Sequence, residues 1–246
     1  MIERVEQLYA DIPCYELIDK GQDACAEIIL YHGWGSDAEK QCFRGHLLAS
    51  FGYRVIVPEI PDHGVRGTLA YEDPGCAVDF LRVLGQSIEE CQALSEAVFS
   101  QGKAHFLVGH SLGGMIALGA VMPLCDALSG VAAMNSSAEW GEPLAILRAV
   151  FFGEAAGATG FSSSAAQAQL KALDAYDPAH WAAQNIHTPV LLTNGALDET
   201  MPPSLNAGFC ARGALPQVRR VVIPDAGHVV TDSALREVVQ FIEAHR

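Results

Sequence analysis

The sequence has few positive charges. It contains 15 Lys and Arg residues against 29 Asp and Glu residues, which gives a formal net charge of −14 at pH 7. Nucleic-acid binding requires clustered Lys and Arg side chains that contact phosphates, so the composition argues against a nucleic-acid partner. The negative charge also disfavours long-range steering of anionic substrates. A small neutral substrate fits this composition best.

Long hydrophobic runs are missing as well. No stretch approaches the roughly 18 apolar residues that a transmembrane helix requires. The N-terminal segment MIERVEQLYADIPCYELIDKG carries early charges and lacks the apolar core of a signal peptide. Since 50% of the residues are nonetheless hydrophobic, the composition is typical of a globular protein. We therefore expect a cytoplasmic protein without membrane insertion.

The cysteines show no paired spacing. There are seven of them, an odd number, and none forms a C-x-x-C motif. This pattern indicates neither a disulfide framework nor a zinc site, so reduced thiols are expected. The carboxylates and histidines also lack a recognisable metal-ligand spacing. The sequence therefore predicts no metal site.

Short apolar segments recur along the chain. An opening antiparallel pair, VEQLYA and CYELI, precedes apolar runs at 28–33, 53–60, 104–110, 130–135, 189–195 and 218–224. The later runs are nearly continuous in apolar residues, which is typical of buried parallel strands. We therefore expect about eight strands.

Helical patterns lie between these strands. They occur at 36–50, 76–100, 112–122, 203–213 and 232–244. Ser36 and Glu39 have the spacing of a capping box, which predicts that the first helix begins there. The alternation of strands and helices predicts an α/β fold with a mostly parallel, doubly wound sheet.

One gap between predicted strands is unusually long. Roughly fifty residues separate Asn135 from Pro189, and a structureless loop of that length is uncommon. We predict a single domain over residues 1–246 with a small helical cap inserted at about 137–186; a long crossover with extra helices is the alternative. Cap aromatics, Trp140 and Trp181 among them, would either line an apolar substrate pocket or pack within the cap.

The segment VGHSLGG places Ser111 between Gly109 and Gly113, where a strand ends and a helix begins. G-x-S-x-G in this context is a nucleophile elbow, a tight turn that projects the serine Oγ from the sheet. The flanking positions must be small because the strand and the helix crowd against them. We interpret Ser111 as a nucleophile; a glycine-rich turn that happens to hold a serine is the alternative.

A serine nucleophile needs a base, and the base needs an acceptor that orients it. His228 follows the last predicted strand, and Asp198 follows the strand before it, so both lie at the same sheet edge as Ser111. We predict the triad Ser111, Asp198 and His228, with Glu199 as a possible substitute for the aspartate. Weaker acid candidates are Asp174, Asp177 and Asp225. His110, inside the elbow, is expected to point away from the reacting oxygen, and the other histidines are interpreted as structural or surface residues.

A tetrahedral intermediate also needs hydrogen-bond donors for its oxyanion. One should be the backbone N–H of Leu112, at the start of the helix after Ser111. The other should be the backbone N–H of Trp34, in the turn after the first parallel strand; a simple glycine turn that opens the next helix is the alternative. The Trp34 ring would line the acyl pocket or serve in packing.

Five segments carry a resemblance to a known family: YHGWGSDAEK, VIVPEIPDHGVRG, VGHSLGG, NGALDETMP and DAGHVV. Over nearly its whole length the chain resembles the α/β-hydrolase superfamily, and most of all the small bacterial carboxylesterases related to the prolyl-oligopeptidase and dienelactone-hydrolase branches. The order serine, aspartate, histidine along the chain agrees with this superfamily. The resemblance implies an α/β-hydrolase fold, hydrolysis of esters with short acyl chains, and no metal or organic cofactor. It also implies that Asp62-His63-Gly64 shapes the floor of the site.

The sequence therefore predicts a serine carboxylesterase that acts through an acyl-enzyme. Thioesterases, lactonases, C–C bond hydrolases, peptidases and perhydrolases use the same apparatus and remain alternatives, because fold and triad do not set the substrate. A non-catalytic ligand-binding protein on the same scaffold is a further alternative. The sequence does not indicate the oligomeric state.

Overall fold

A single sheet of eight strands organises the chain. The computed structural model describes residues 1–73, 76–140, 164–181, 184, 186–211 and 217–246. The strands are β1 (Ile2–Tyr9), β2 (Ile12–Asp19), β3 (Ala26–Tyr31), β4 (Tyr53–Pro58), β5 (Ala104–His110), β6 (Gly130–Met134), β7 (Val190–Gly195) and β8 (Val218–Ile223). Their order in the sheet is β1-β2-β4-β3-β5-β6-β7-β8.

The sheet is antiparallel at one edge and parallel over the rest. β1 and β2 form a hairpin in which Ile2 pairs with Asp19 and Tyr9 with Ile12. β2 pairs antiparallel with β4, and every later pairing is parallel. The predicted α/β fold with a mostly parallel sheet of about eight strands is therefore confirmed.

Helices cover both faces of this sheet. They are α1 (Ala38–Ala49), α2 (Ala77–Val98), α3 (Leu112–Gly119), α4 (Val121–Leu124), α5 (Ser164–Leu173), α6 (Ala207–Ala211) and α7 (Asp232–His245). α1 and α7 pack on one face in a cluster that includes Leu48 and Phe241. α2 and α3 pack on the other face in a cluster that includes Leu84 and Ile116. All residues of β3, β6 and β7 are buried between these layers, as expected for parallel strands covered on both faces.

Two helix starts differ from the sequence prediction. α1 is capped by Asp37 rather than Ser36: the Asp37 carboxylate accepts the backbone N–H of Lys40 at 2.7 Å. Ser36 is engaged elsewhere, since its own N–H donates to the Gly33 carbonyl in the preceding turn. The predicted helix over 203–213 begins as a 3₁₀ turn at Pro203–Asn206 before α6.

Part of the predicted cap lies outside the described residues. Of the range 137–186, the structure leaves 141–163, 182–183 and 185 undescribed. In the described part, α5 lies against α2, where Leu173 is buried close to Gly85. A cap over the site therefore stays a prediction. Among the described helices, none is long and apolar enough to cross a membrane.

Two helix glycines allow a test of how α1 seats on the sheet. Replacing an interior helix glycine with alanine ordinarily stabilises a protein by up to about 1 kcal/mol. At Gly45 a Cβ would overlap the side chain of Leu17, which is fully buried. We expect Gly45→Ala to lower the free energy of unfolding by about 1–3 kcal/mol, the usual cost of overpacking.

Gly85→Ala in α2 is the matched control for this substitution. Its Cβ would meet only the Leu173 side chain, at an ordinary 3.6 Å. We therefore expect this variant to be as stable as the wild type or up to about 1 kcal/mol more stable. Urea unfolding of both variants measures the difference. An equal gain in stability for the two would contradict the close packing of α1.

Candidate active site

The turn between β5 and α3 holds Ser111 in a strained conformation. Its φ of 55° and ψ of −119° lie in a region that non-glycine residues rarely adopt, at a cost of about 1–3 kcal/mol. Hydrogen bonds over-determine the turn: the Ser111 N–H donates to the Met134 carbonyl at 2.9 Å. The Ser111 carbonyl accepts from the Ser136 hydroxyl at 2.9 Å and from the Gly114 N–H at 3.0 Å. The surrounding backbone thus holds the serine side chain away from the sheet.

The glycines around Ser111 are required by close backbone contacts. A Cβ on Gly109 would overlap the carbonyl of Gly113. A Cβ on Gly113 would lie 2.6 Å from the carbonyl oxygen of Tyr31. Because these backbone atoms, of α3 in the first case and β3 in the second, cannot move aside, neither position accepts a larger residue. This crowding is the steric reason that the elbow motif predicts.

The structure brings the three predicted triad residues together. His228 Nε2 lies 3.0 Å from Ser111 Oγ. On the other side of the ring, His228 Nδ1 lies 2.8 Å from Asp198 Oδ2 and 3.0 Å from Oδ1. With Nδ1–H donating to the carboxylate, the Nε2 lone pair accepts the serine hydroxyl proton. This is the hydrogen-bond order in which a neutral imidazole removes a proton from a serine.

Asp198 is held in its ionised form. The carboxylate is buried, and its Oδ1 accepts the backbone N–H groups of Thr200 at 3.0 Å and Met201 at 2.8 Å. Burial raises the pKa of Asp198, but the hydrogen bonds from His228 and from these two N–H groups outweigh it, and the net pKa is lowered. Glu199, the predicted substitute, is exposed.

His110 lies beside the His228 ring, a contact that sequence reasoning missed. The two ring centroids are 5.0 Å apart with planes tilted by 42°. Within the described residues, the buried Nε2 of His110 has no hydrogen-bond partner. Burial, and to a lesser extent the charge of His228, lowers the pKa of His110 to about 3. His110 therefore packs against His228 as an uncharged ring.

The loop after β3 approaches the elbow. A Cβ on Gly33 would lie 3.4 Å from the Cβ of Ser111, so the backbone that leads to Trp34 passes next to the serine. Leu112 is the first residue of α3, and its N–H therefore has no partner within that helix. The two predicted oxyanion donors thus belong to segments that adjoin Ser111. Their role stays a prediction.

The three tryptophans predicted near the pocket lie in packed surroundings. Trp34 is half-buried; its indole N–H donates to the Tyr71 carbonyl at 3.0 Å, and its ring packs edge-on against Phe80. Trp140 is buried and donates to the Ser137 carbonyl at 3.0 Å. Trp181 is fully buried, with its ring 5.6 Å from that of Phe209. These surroundings favour the packing alternative for Trp140 and Trp181.

His63 supports the 33–35 loop from below. It is fully buried, its Nδ1–H donates to the Pro61 carbonyl at 2.8 Å, and its Nε2 accepts the Gly35 N–H at 3.2 Å. Its ring stacks on Tyr71 with centroids 4.7 Å apart. Burial lowers the pKa of His63 to about 4, although the hydrogen bond to Pro61 opposes the shift. His63 is therefore an uncharged structural residue under the loop.

A second buried contact ties the same loop to α1. His32 Nδ1 lies 2.9 Å from the Gly33 carbonyl oxygen, and His32 Nε2 lies 2.9 Å from Glu59 Oε1. Glu59 Oε1 also accepts the Ala38 N–H at the start of α1, at 3.1 Å. Sequence reasoning missed Glu59. The sequence feature that could have indicated Glu59 is a carboxylate directly after a buried strand, at the edge of the sheet where α/β folds place their sites.

Another residue that sequence reasoning missed is Asn135, at the end of β6. Its side-chain amide donates to the carbonyls on either side of His228. Asparagine after a buried strand was again the available signal. In the described part of the chain, no group of three His, Cys, Asp or Glu side chains could hold a metal ion.

Comparison with known proteins identifies the family. The model of the alpha/beta hydrolase family matches residues 28–241, and the chain belongs to this family. The resemblance to the α/β-hydrolase superfamily noted in the sequence is thereby confirmed.

Two curated relatives match part of the chain. YitV of Bacillus subtilis (strain 168) is 31% identical over 144 residues, which cover 55% of this chain and 55% of YitV. Esterase YjfP of Escherichia coli (strain K12) is 32% identical over 127 residues, which cover 48% of this chain and 49% of that protein. The chain thus spans about half the length of the curated relatives it matches.

A solved structure matches the whole fold. TT1662 from Thermus thermophilus superposes with a TM-score of 0.81, covering 99% of this chain and 98% of its own, at 20% sequence identity. Identity this low establishes a shared fold alone.

The buried His63 makes the free energy of unfolding depend on pH. Burial lowers the pKa of His63 from 6.5 in the unfolded chain to about 4 in the folded protein. Between these two pH values the unfolded state binds more protons, so the free energy of unfolding falls as the pH drops through that range. We expect His63 to account for about 2 kcal/mol of the loss in unfolding free energy between pH 7 and pH 5. Urea unfolding at both pH values should therefore show a shallower loss for His63→Asn.

His245→Asn is the control for this experiment. His245 is exposed at the end of α7, so its replacement should not make the acid-induced loss of stability shallower. His63→Asn can lower the stability at both pH values, and only the difference between them is diagnostic. If His63→Asn lost as much unfolding free energy between pH 7 and pH 5 as the wild type, an uncharged His63 would be contradicted.

Proposed function

We propose that this protein is a serine carboxylesterase that hydrolyses small neutral esters with short acyl chains. The observation that carries the proposal is the continuous hydrogen-bonded array from Asp198 through His228 to Ser111 Oγ, with contacts of 2.8 and 3.0 Å. Such an array is the means by which a serine hydroxyl becomes a nucleophile near neutral pH. Membership of the alpha/beta hydrolase family supports the same chemistry.

In the acylation step, Ser111 Oγ attacks the ester carbonyl carbon while its proton passes to His228 Nε2. The carbonyl oxygen becomes an oxyanion, which the backbone N–H groups of Leu112 and Trp34 stabilise. Asp198 holds the imidazole in the required tautomer and stabilises the imidazolium that forms. The imidazolium then donates its proton to the alkoxide oxygen as the C–O bond breaks, and the alcohol leaves.

In the deacylation step, a water molecule takes the place of the alcohol. His228 Nε2 removes its proton as the oxygen attacks the acyl carbon, and the oxyanion again binds at the two N–H groups. Collapse of the intermediate releases the carboxylic acid, and the proton on His228 returns to Ser111 Oγ. The half-reactions use the same groups in mirrored roles.

Two further observations favour esters as substrates. The matching part of the chain is 32% identical to a protein named as an esterase. The net charge of −14 disfavours attraction of anionic substrates, which favours a neutral ester over a charged one. Thioesters, lactones, amides and C–C bond substrates are the alternatives that the same apparatus allows.

A fluorophosphonate probe tests the nucleophile. It should label the wild type and not Ser111→Ala, because the probe reacts only with an activated serine. Ser204→Ala, which removes an exposed serine in the 3₁₀ turn before α6, is the matched control and should label fully. A folded wild type that does not react would overturn the proposal in favour of a ligand-binding protein.

A substrate panel tests the ester assignment. p-Nitrophenyl esters of increasing acyl length should be hydrolysed with a kcat/KM that is highest for short chains. The kcat/KM for matched thioesters, lactones and aminoacyl amides is measured for comparison with that for the esters. Faster turnover of any of these compounds than of the acetate or butyrate ester would move the assignment to that class.

Removing the Asp198 charge should abolish most of the activity. Asp198→Asn is expected to lower kcat by about 10⁴-fold, because the amide favours the wrong His228 tautomer. Glu199→Gln is the matched control, and since Glu199 is exposed, it should keep wild-type turnover of p-nitrophenyl acetate. Equal losses for the two variants would contradict Asp198 as the acid of the triad.

A further inference from the structure

Asn135 occupies a position where both its backbone and its side chain are constrained. It is the residue after β6, is 2% exposed, and has a φ of 47°. Its backbone N–H donates to the Thr193 carbonyl at 2.6 Å, which extends the pairing of β6 with β7. Asparagine and glycine are the residues that adopt this left-handed conformation with least strain. The side chain therefore leaves the sheet edge in a fixed direction.

The Asn135 side chain forms two hydrogen bonds with the segment that carries His228. Its Nδ2 donates to the Gly227 carbonyl at 2.9 Å and to the Val229 carbonyl at 3.2 Å. A carboxamide nitrogen carries two hydrogens, and each one reaches a carbonyl adjacent to His228. In the part of the chain that the structure describes, no other group donates to these two oxygens.

The segment around His228 has no regular secondary structure to hold it. Residues 226–230 lie between β8 and α7, outside any helix or strand. The bond from the Leu197 N–H to the Ala226 carbonyl anchors the start of this segment at 2.8 Å. The Thr231 cap of α7 anchors its end. Between these two anchors, the Asn135 amide and the His228 ring supply the hydrogen bonds.

We propose that Asn135 is a positioning residue that sets the His228 imidazole in line with Ser111 by holding the carbonyls on both sides of it. This inference rests on the proposed serine-hydrolase function. Proton transfer requires His228 Nε2 within hydrogen-bond distance of the serine oxygen, and loss of about 1 Å of alignment costs on the order of 100-fold in rate. Asn135 acts through His228 and does not touch the reacting atoms.

The neighbouring Ser136 performs a separate task. Its hydroxyl donates to the Ser111 carbonyl at 2.9 Å, so the end of β6 contacts the nucleophile through one residue and the base segment through the other. Ser136→Ala therefore perturbs the same strand end without releasing the His228 segment. This contrast provides a matched control for Asn135.

Two substitutions remove the Asn135 hydrogen bonds in different ways. Asn135→Gly keeps a residue that tolerates a φ of 47° and deletes the amide. Asn135→Asp keeps the shape but directs a carboxylate oxygen at two carbonyl oxygens, which repel it. Asparagine and aspartate both tolerate this backbone conformation, so Asn135→Asp decides the question if the glycine variant fails to fold.

The experiment is a double-mutant cycle on p-nitrophenyl acetate hydrolysis. In the His228 background, each Asn135 variant should lower kcat about 10- to 100-fold, with KM changed less than about threefold. In a His228→Ala background, the same substitution should change the residual rate less than about twofold, because the group through which Asn135 acts is gone. In the His228 background, Ser136→Ala should lower kcat less than either Asn135 variant does, because both carbonyls beside His228 keep their hydrogen bonds.

The outcomes separate this inference from the proposed function. If the wild type turns over esters and His228→Ala does not, but Asn135→Gly and Asn135→Asp keep more than half of kcat, the positioning role is overturned. An equal loss from the Asn135 substitution in both backgrounds also overturns it, because Asn135 would then act on the site by another route. A wild type that neither hydrolyses esters nor reacts with a fluorophosphonate overturns the proposed function, and this inference with it.

Discussion

The backbones of α3 and β3 meet at Gly113, and those of β5 and α3 meet at Gly109, in each case with no room for a side chain. These contacts force the chain to reverse within one residue, and Ser111 takes the strained conformation that the reversal requires. The last residues of β5 up to Gly109 and all residues of α3 are buried, so the surrounding core supports the turn. The strain is therefore maintained by the whole core rather than by the turn itself.

The other groups of the site depend on the parallel sheet. Because parallel strands end at one edge, the loops after β3, β5, β6, β7 and β8 converge there. Asp198 and His228 follow neighbouring strands, and the distance between their side chains is set by the β7–β8 pairing. Glu59 and His63 then hold the 33–35 loop against this edge from the side of β4. In this arrangement the strand ends are rigid, and buried polar side chains hold the loops by hydrogen bonds.

Sequence patterns predicted the strands, the sheet type and the three residues of the hydrogen-bonded array. They could do so because buried parallel strands have continuous apolar runs and because an elbow demands glycines at fixed spacing. The helix starts were less predictable: both Ser36 and Asp37 are good capping residues, and the turn that engages Ser36 is a tertiary feature. Asn135 and the contact of His110 with His228 went unpredicted for the same reason. A side chain that bonds a loop some ninety residues away leaves no periodicity or spacing in the sequence.

The separation of Ser111 and His228 along the chain has a consequence for biosynthesis. The two residues are 117 positions apart, and His228 is placed only when β8 has paired with β7. In the proposed mechanism, Ser111 thus stays without the imidazole that activates it while the next 117 residues of the chain are added. On the proposed mechanism, the serine would become reactive only after β8 has paired with β7, so a chain that stops before β8 would lack the activated nucleophile.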